Sequence, residues 1–229
     1  MSPFQEFLLV APLLLLSMVA HEYAHGWVAL RHGDPTAYQL GRLTWNPAKH
    51  IDPFLTVMLP ALMWFMTSGG LIFGGAKPVP VNPRNYRNYK RGDIAVSLAG
   101  IVTNLILAVV LALLLVVIGL IGRAAPGIAD SASLVQRMLA LGVWINIILA
   151  GFNLLPIPPL DGSHVAKYLL PPAWALQYER LGRYGLLLLI ALLTIGRPLL
   201  MPYFMFLRTL YAGTMRAVLP FILPSAWTL

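Results

Sequence analysis

Two histidines and a glutamate lie within five residues near the start of the chain. The sequence there reads His21-Glu22-Tyr23-Ala24-His25, which is the H-E-x-x-H pattern. Residues i and i+4 of a helix share one face, so two imidazoles one turn apart can bind the same metal ion. A glutamate beside the first ligand can deprotonate a water molecule that the metal holds. The pattern therefore predicts a Zn²⁺ site with His21 and His25 as ligands and Glu22 as general base.

The alternative interpretation is a chance match inside an apolar helix. Residues 7–20 are almost wholly apolar and run directly into the motif. Three ionisable residues so close together in a membrane helix are unfavourable, because a single charge at mid-depth costs ~2.5–3.5 kcal/mol. A bound metal ion would offset that cost, which favours the metal site over chance.

A catalytic zinc ion usually has three protein ligands and keeps one position open. The chain has no cysteine, so the third ligand must be a histidine or an acid. The extended metzincin pattern is excluded, because it requires glycine and histidine where this chain has Val28 and Arg31. Glu179 is one candidate, in a polar stretch. Asp161 is better placed, because it follows a charge-free run and, if residues 53–76 re-enter the membrane, emerges on the same membrane face as His25.

Each further candidate has a structural alternative. Asp161 is expected to open a helix, where aspartate is also a favoured N-cap. Three prolines between residues 155 and 160 prevent regular helix, and an unwound stretch inside a membrane must line a cavity or be buried in protein. Asn153, at the start of that stretch, could donate a hydrogen bond to a developing oxyanion, or could satisfy freed backbone carbonyls. Asn104 is a weaker candidate for the same role, and helix packing with Gly100 is its alternative.

The amino-acid composition indicates the class of protein to which these residues belong. Hydrophobic types make up 59% of the 229 residues and charged types 10%, against ~45–50% and ~25% in soluble domains. We therefore predict an all-α polytopic membrane protein, with about five or six membrane segments at ~20 residues each. The net charge of +8 is spread between apolar runs rather than gathered in a patch, which argues against nucleic-acid binding. The prediction is one domain over 1–229, with a catalytic core over 4–170 and C-terminal membrane segments over 171–229.

The apolar runs predict the helices. We expect one helix over 4–31, and membrane segments over the charge-free runs 94–122 and 138–160. The run 53–76 is also free of charge, but Pro60 and paired glycines within it favour a re-entrant segment over a spanning helix.

A re-entrant segment over 53–76 places the basic loops on one face of the membrane. Loops 31–52, 77–92 and 161–183 then share that face, and they hold most of the Lys and Arg residues. Because positive loops are retained in the cytoplasm, the N-terminus is predicted outside and the active site toward the cytoplasmic side. The predicted location is a prokaryotic inner or plasma membrane, in contact with membrane lipid.

Two segments predict a small β element near the cytoplasmic face. Residues 36–44 (TAYQLGRLT) are typical of one or two short strands. Residues 76–82 (AKPVPVN) are extended by alternating prolines. Pro78 and Pro80 lack N–H donors on one edge, whereas Val79 and Val81 keep theirs on the other. This segment could pair with 36–44, could hold an extended substrate by strand addition, or could be a surface loop in polyproline conformation.

HEYAH together with the later stretch Asn153–Gly162 (NLLPIPPLDG) resembles the site-2 protease family of intramembrane zinc metalloproteases, in a compact form without a PDZ insertion. The second stretch matches every fixed position of that family's N-x-x-P-x-P-x-L-D-G signature. The resemblance implies one zinc ion per chain on His21, His25 and Asp161, with Glu22 as general base and Asn153 near the scissile carbonyl. It also implies substrates that span the membrane and are cut within or near the bilayer.

The sequence therefore predicts an intramembrane zinc endopeptidase of the kind used in regulated intramembrane proteolysis. One alternative is a metalloprotease that cuts juxtamembrane or soluble segments. Another is a non-catalytic membrane protein that binds partner helices and keeps the motif as a structural metal clamp.

Overall fold

The computed structural model describes residues 3–58, 62 and 74–224. Within these ranges the chain forms eight α-helices joined by short 3₁₀ turns. The helices are α1 (Pro3–Arg31), α2 (Thr36–Gln39), α3 (Tyr89–Ala124), α4 (Ala129–Leu154), α5 (Asp161–Ala166), α6 (Pro172–Leu181), α7 (Gly185–Thr194) and α8 (Arg197–Val218).

The predicted helix over 4–31 is confirmed as α1. It is continuous through Pro12 and through the HEYAH motif, and it ends at Arg31, whose positive charge complements the helix C-terminus. Gly33 follows with φ +109°, a conformation that favours glycine. The N–H groups of His32 and Gly33 return to carbonyls of the last turn of α1.

The long apolar helices confirm an all-α membrane protein. Among the described residues, two helices are long and apolar enough to cross a membrane, Tyr89–Ala124 with 36 residues and Pro126–Leu154 with 29. At 1.5 Å per residue the first is about 54 Å long, well over the ~30 Å hydrocarbon core. The C-terminal segments Pro172–Thr194 and Pro198–Phe221 pass the same test only as a pair bent by 80°. The bend falls near Gly196, whereas α8 continues through Pro202.

The chain divides into two compact units, Leu15–Thr103 and the remainder. In the remainder, the core is formed by α3, α4 and α8 around Leu115 and Val143, both fully buried. The buried amide of Gln136 donates to the carbonyls of Leu115 and Phe221 and accepts from the N–H of Leu223, so that polar group is satisfied. The unit Leu15–Thr103 contains the second half of α1, the connecting segments and the start of α3, with Ala29, Tyr86 and Val96 in its core.

The strand predicted over 36–44 is wrong. Thr36–Gln39 is a helical turn instead, because Oδ1 of Asp34 accepts a hydrogen bond from the N–H of Thr36 at 3.1 Å. The N–H groups of Arg42 and Leu43 then both return to the carbonyl of Ala37. The segment 74–82 is extended, but no β-strand occurs among the described residues, so the predicted β element is not confirmed.

The predicted re-entrant segment falls mostly outside the described residues. Of 53–76, the structure describes the π-helical turn Pro53–Met58, residue 62 and residues 74–76. The re-entrant topology therefore stays a prediction, and so does the number of membrane segments.

Candidate metal and catalytic site

The HEYAH residues lie on the second half of α1, in the unit Leu15–Thr103. His21 and His25 are buried, each 9% exposed, and Glu22 is half-buried. The two imidazole rings lie 4.7 Å apart between centroids, at an interplanar angle of 78°. The i, i+4 spacing therefore brings the two rings side by side as predicted.

The hydrogen bond of His25 fixes which ring nitrogen can bind a metal. Nδ1 of His25 lies 2.7 Å from the carbonyl oxygen of Val96 on α3. A carbonyl oxygen can only accept, so Nδ1 carries the hydrogen and Nε2 carries the lone pair in the neutral ring. Metal-ligating histidines generally hold their second nitrogen in this way, so His25 has the tautomer that a zinc ligand requires.

Gly100 makes room for the ring of His21. A Cβ atom at position 100 would lie 2.5 Å from Nε2 and 2.6 Å from Nδ1 of His21, which is closer than real Cβ atoms approach. Because only glycine lacks that atom, the imidazole can pack directly on the backbone of α3. The helix contact predicted for Gly100 thus has a more specific basis, since the neighbour of Gly100 is the candidate ligand His21.

Glu22 accepts a hydrogen bond from the main chain. The N–H of Val79, in the extended segment predicted to bind substrate, lies 2.7 Å from Oε2 of Glu22. Such a bond to a carboxylate is charge-assisted and stronger than one between neutral groups. The carboxylate of the candidate base is therefore held by an N–H group that cannot change its protonation state.

Asp34 secures the end of that extended segment. Its carboxylate accepts from the N–H of Asn82 at 2.6 Å, from Nδ2 of Asn85 at 2.8 Å, and from both the N–H and the hydroxyl of Thr36. Burial raises the pKa of Asp34, but these hydrogen bonds outweigh it and leave the pKa below its usual value. Asp34 thus links the turn at Thr36 to Asn82 and Asn85.

Asp161 is the first residue of α5, as predicted, and its side chain is half-buried. The N-cap position belongs to Leu160, which makes no side-chain cap, so the capping alternative for Asp161 is not supported. The next residue, Gly162, approaches the end of α4 so closely that a Cβ would lie 2.7 Å from the carbonyl oxygen of Leu155. The Asp-Gly pair thus has a structural reason: glycine allows the close turn that begins the helix at the aspartate.

The other candidates have defined partners within the same unit as Asp161. Glu179 forms an ion pair with Lys167, 2.9 Å between Oε1 and Nζ, which argues against Glu179 as a ligand. Nδ2 of Asn153 donates to the carbonyl of Leu149 at 3.0 Å, in agreement with the alternative that its amide satisfies a helix carbonyl.

Asn104 is fully buried, and its Nδ2 donates to Oδ1 of Asn146 at 2.8 Å. Nδ2 of Asn146 in turn donates to the carbonyl of Gly142. This amide pair favours the packing interpretation of Asn104 over an oxyanion donor.

Two groups near the motif escaped the sequence analysis because they belong to the backbone. Every residue has a backbone carbonyl and every residue but proline has an N–H, so no side-chain pattern marks the carbonyl of Val96 or the N–H of Val79. The acid Asp93 lies inside α3 and is buried, 3% exposed. The alternating prolines around Val79 were the available signal for an extended segment with few N–H donors.

One helix carries two buried imidazoles, of which His25 has its tautomer fixed by Val96, and the restrained carboxylate of Glu22. In a chain of long apolar helices, this combination is typical of a membrane metalloprotease. Comparison with known proteins agrees: residues 9–194 match the model of Peptidase family M50. The chain belongs to this family, the site-2 protease family, and is a zinc metalloprotease, as the resemblance implied.

Individual relatives support the same assignment. The Bacillus subtilis protein named "Putative zinc metalloprotease YwhC" is 37% identical over 179 residues, which cover 78% of this chain and 77% of that one. A Mycolicibacterium smegmatis protein with the same description, Rip2, is 33% identical over 82% of this chain and 67% of its own length. A third, from Methanocaldococcus jannaschii, is 38% identical over 46% of this chain and 50% of its own. No solved structure matches the chain significantly.

The family implies zinc, and the residues of α1 fit it. His25 presents Nε2 through its bond to Val96, and the absence of a side chain at Gly100 makes the space that His21 fills. Without cysteine in the chain, nitrogen and oxygen are the donors available, and zinc accepts both.

Proposed function

We propose that this metalloprotease is an intramembrane endopeptidase that hydrolyses peptide bonds of membrane-spanning proteins. The carrying observation is that HEYAH continues the apolar helix α1 without interruption. The catalytic residues therefore lie on a helix whose first half is apolar enough to contact lipid. A substrate segment within the bilayer can reach these residues.

The proposal includes one zinc ion per chain, held by His21, His25 and Asp161. In their own units, the two histidines are buried and the aspartate is half-buried. Two imidazoles and one carboxylate are a common donor set for catalytic zinc. The match of Asp161 to the family's second signature supports the third ligand.

In this reaction zinc, when bound, supplies Lewis acidity at the site. Glu22 accepts a proton from the attacking water as its oxygen adds to the peptide carbonyl carbon. The carbon–nitrogen bond then breaks, and Glu22 returns the proton to the leaving amine, giving a new carboxyl and a new amino terminus. One amide hydrogen of Asn153 is donated to the carbonyl of Leu149. The second amide hydrogen can be donated to the scissile carbonyl oxygen.

The substrate must be extended at the site, because a helix hides its carbonyls in i→i−4 hydrogen bonds. Strand addition along 76–82 supplies that conformation. Since the N–H of Val79 is bonded to Glu22, we place the pairing at Val81, whose N–H and carbonyl lie on the same edge of an extended chain. The proposed setting is regulated proteolysis in a prokaryotic plasma membrane, with the N-terminus outside and the site toward the cytoplasm.

The test measures zinc per chain and cleavage of a reporter with a single membrane helix, both in detergent-purified protein. We expect one zinc in wild type and in Glu22→Gln, cleavage only in wild type, and loss of both in Asp161→Ala. Glu179→Gln is the matched control, an acid in the same unit that should leave zinc content at the wild-type value. Full zinc in Asp161→Ala would refute that ligand, and cleavage by Glu22→Gln would refute the general base.

Mapping the cut separates the two proteolytic alternatives. Mass spectrometry of the reporter products should place the new termini within or at the edge of its apolar segment. A cut confined to the soluble flank would instead support a juxtamembrane protease.

A further inference from the structure

We propose that the backbone N–H of Val79 is a positioning group for catalysis, and that the extended segment Ala76–Asn82 acts as a strap that delivers it to Glu22. The proposal rests on the proposed function, because it assigns a partner to the general base. Its central observation is the 2.7 Å hydrogen bond from the N–H of Val79 to Oε2 of Glu22.

A glutamate needs such a restraint if it is to act at one place. Its side chain turns about three bonds, and each free rotation lowers the fraction of time that the carboxylate spends in the reactive position. A hydrogen bond to one oxygen, Oε2, holds the carboxylate while leaving the other oxygen available for the proton of the attacking water. A main-chain donor suits this role, because it neither titrates nor changes rotamer.

The strap is anchored on both sides of Val79. Toward its N-terminal end, the N–H of Lys77 donates to the carbonyl of His50 at 2.7 Å. The guanidinium of Arg42 donates to the carbonyls of Lys77 and Pro78 at 3.1 and 3.2 Å. Toward its C-terminal end, the N–H of Asn82 donates to the buried carboxylate of Asp34 at 2.6 Å. These contacts fix the position of Val79 along α1.

The composition of the strap adds stiffness. Pro78 and Pro80 flank Val79, and each locks its own φ near −65° and keeps the preceding residue extended. Both prolines also lack an N–H, so the N–H of Val79 is the donor available between them. Glu22 therefore faces one backbone N–H donor here, because the residues on both sides of Val79 have none.

Gly26 lets the strap approach α1. It lies one helical turn after Glu22, and the side chain of Val79 packs over it. A Cβ at position 26 would lie 2.9 Å from Cγ1 of Val79, so any larger residue would push the strap outward. Val79 is 5% exposed, which shows that its side chain is seated while its N–H points to the carboxylate.

A backbone donor can be removed by proline, so the test compares three variants of the full-length protein. Val79→Pro lacks the N–H. Val79→Ala keeps it and shortens the side chain. Val81→Pro removes an N–H from the same edge, two residues along, that Glu22 does not use. We expect Val79→Pro to retain zinc. Its kcat on the reporter should be about 10-fold or more below that of Val79→Ala, with a smaller change in KM. This loss is part of the ~10²–10⁴-fold that general-base catalysis supplies as a whole.

Val81→Pro should instead act mainly on KM, because the proposed pairing with substrate lies there. Equal kcat values in Val79→Pro and Val79→Ala would overturn the proposal. A kcat for Val81→Pro as low as that of Val79→Pro, with the same zinc content, would overturn it too, because the loss would then follow from any proline in the strap.

A second measurement needs neither zinc nor activity. With ¹⁵N-valine labelling, the amide of Val79 in the metal-free protein should exchange its hydrogen more slowly than in Glu22→Ala, by about 10-fold or more if its bond is lost. The amide of Val81 should change little between the two proteins. Unchanged exchange at Val79 would refute the hydrogen bond itself. Failure of wild type to cleave any membrane reporter, with exchange as expected, would refute the proposed function while leaving the contact between Val79 and Glu22 intact.

Discussion

Nδ1 of His25 lies 2.7 Å from the carbonyl oxygen of Val96. This bond joins the motif helix α1 to the first part of α3 and determines the tautomer of the imidazole. It therefore makes one interaction responsible for two properties, the packing of two helices and the availability of Nε2 to a metal ion.

Asparagine at position 25 should separate these two properties. The amide Nδ2 of Asn lies close to the position of Nδ1 and can donate to Val96, but Asn has no counterpart of Nε2. We expect His25→Asn and His25→Ala both to lose zinc, with His25→Asn more stable by about 0.5–1.5 kcal/mol, the net value of one hydrogen bond. Metal analysis and unfolding in detergent measure the two effects, and equal stabilities of the metal-free variants would contradict the assigned bond.

Gly100 should be intolerant of even one added methyl group. Alanine there would place Cβ 2.5 Å from Nε2 of His21, so the ring must move and zinc affinity should fall about 10–100-fold, as for other changes beside metal ligands. Gly213→Ala is the matched control, because position 213 lies in helix α8 with open space around it, and alanine should raise stability there by ~0.5–1 kcal/mol. Competition with a zinc chelator gives the affinities; wild-type affinity in Gly100→Ala would show that the His21 ring does not depend on this space.

The long helices and the proximity of the two histidines could be predicted from the sequence alone. In α3 and α4 the apolar runs are long enough for a membrane crossing, and the i, i+4 spacing leaves little freedom for His21 and His25. These features depend on side-chain type and on helix geometry, both of which can be read from the sequence.

The remaining features depend on contacts between distant residues. Residues 36–44 have the composition of a short strand. However, Asp34 accepts hydrogen bonds from Thr36 and from Asn82, 48 residues away, and these bonds stabilise a helical turn at Thr36–Gln39 instead. Nothing in the local pattern indicates that second partner. For the same reason the roles of the Val96 carbonyl and the Val79 N–H could not be predicted, since every residue but proline carries both groups.

The buried amides of Asn104 and Asn146 should depend on each other. Nδ2 of Asn104 donates to Oδ1 of Asn146, so removing either side chain leaves a buried polar group without that partner. We expect Asn104→Ala and Asn146→Ala each to destabilise by about 1–3 kcal/mol. The double variant should cost clearly less than the sum, because the interaction is lost only once. Unfolding of all four proteins in detergent completes the cycle, and additive effects would contradict a direct bond.

The stability that Asp34 provides should disappear in acid. Its folded-state pKa lies below the usual value because of its hydrogen bonds from Asn82, Thr36 and Asn85. The contribution is therefore complete above the unfolded-state pKa of ~3.9 and is lost as the pH falls through the lower folded-state pKa. In Asp34→Asn, an NH₂ donor replaces one of the two acceptor oxygens, so at least one of these hydrogen bonds is lost, which should cost about 1–3 kcal/mol of stability at pH 7.

Unfolding of wild type and Asp34→Asn between pH 7 and pH 3 should show this difference narrowing as the carboxylate begins to take up a proton. The exposed Asp130, replaced by asparagine, corrects for the general effect of acid on the protein. Because Asp34 also holds Asn82 at the end of the strap, Asp34→Asn should lower cleavage at neutral pH by more than Asp130→Asn does, at equal zinc content. A stability difference that stays constant down to pH 3, or that widens, would show that the carboxylate is not held in its charged form by these bonds.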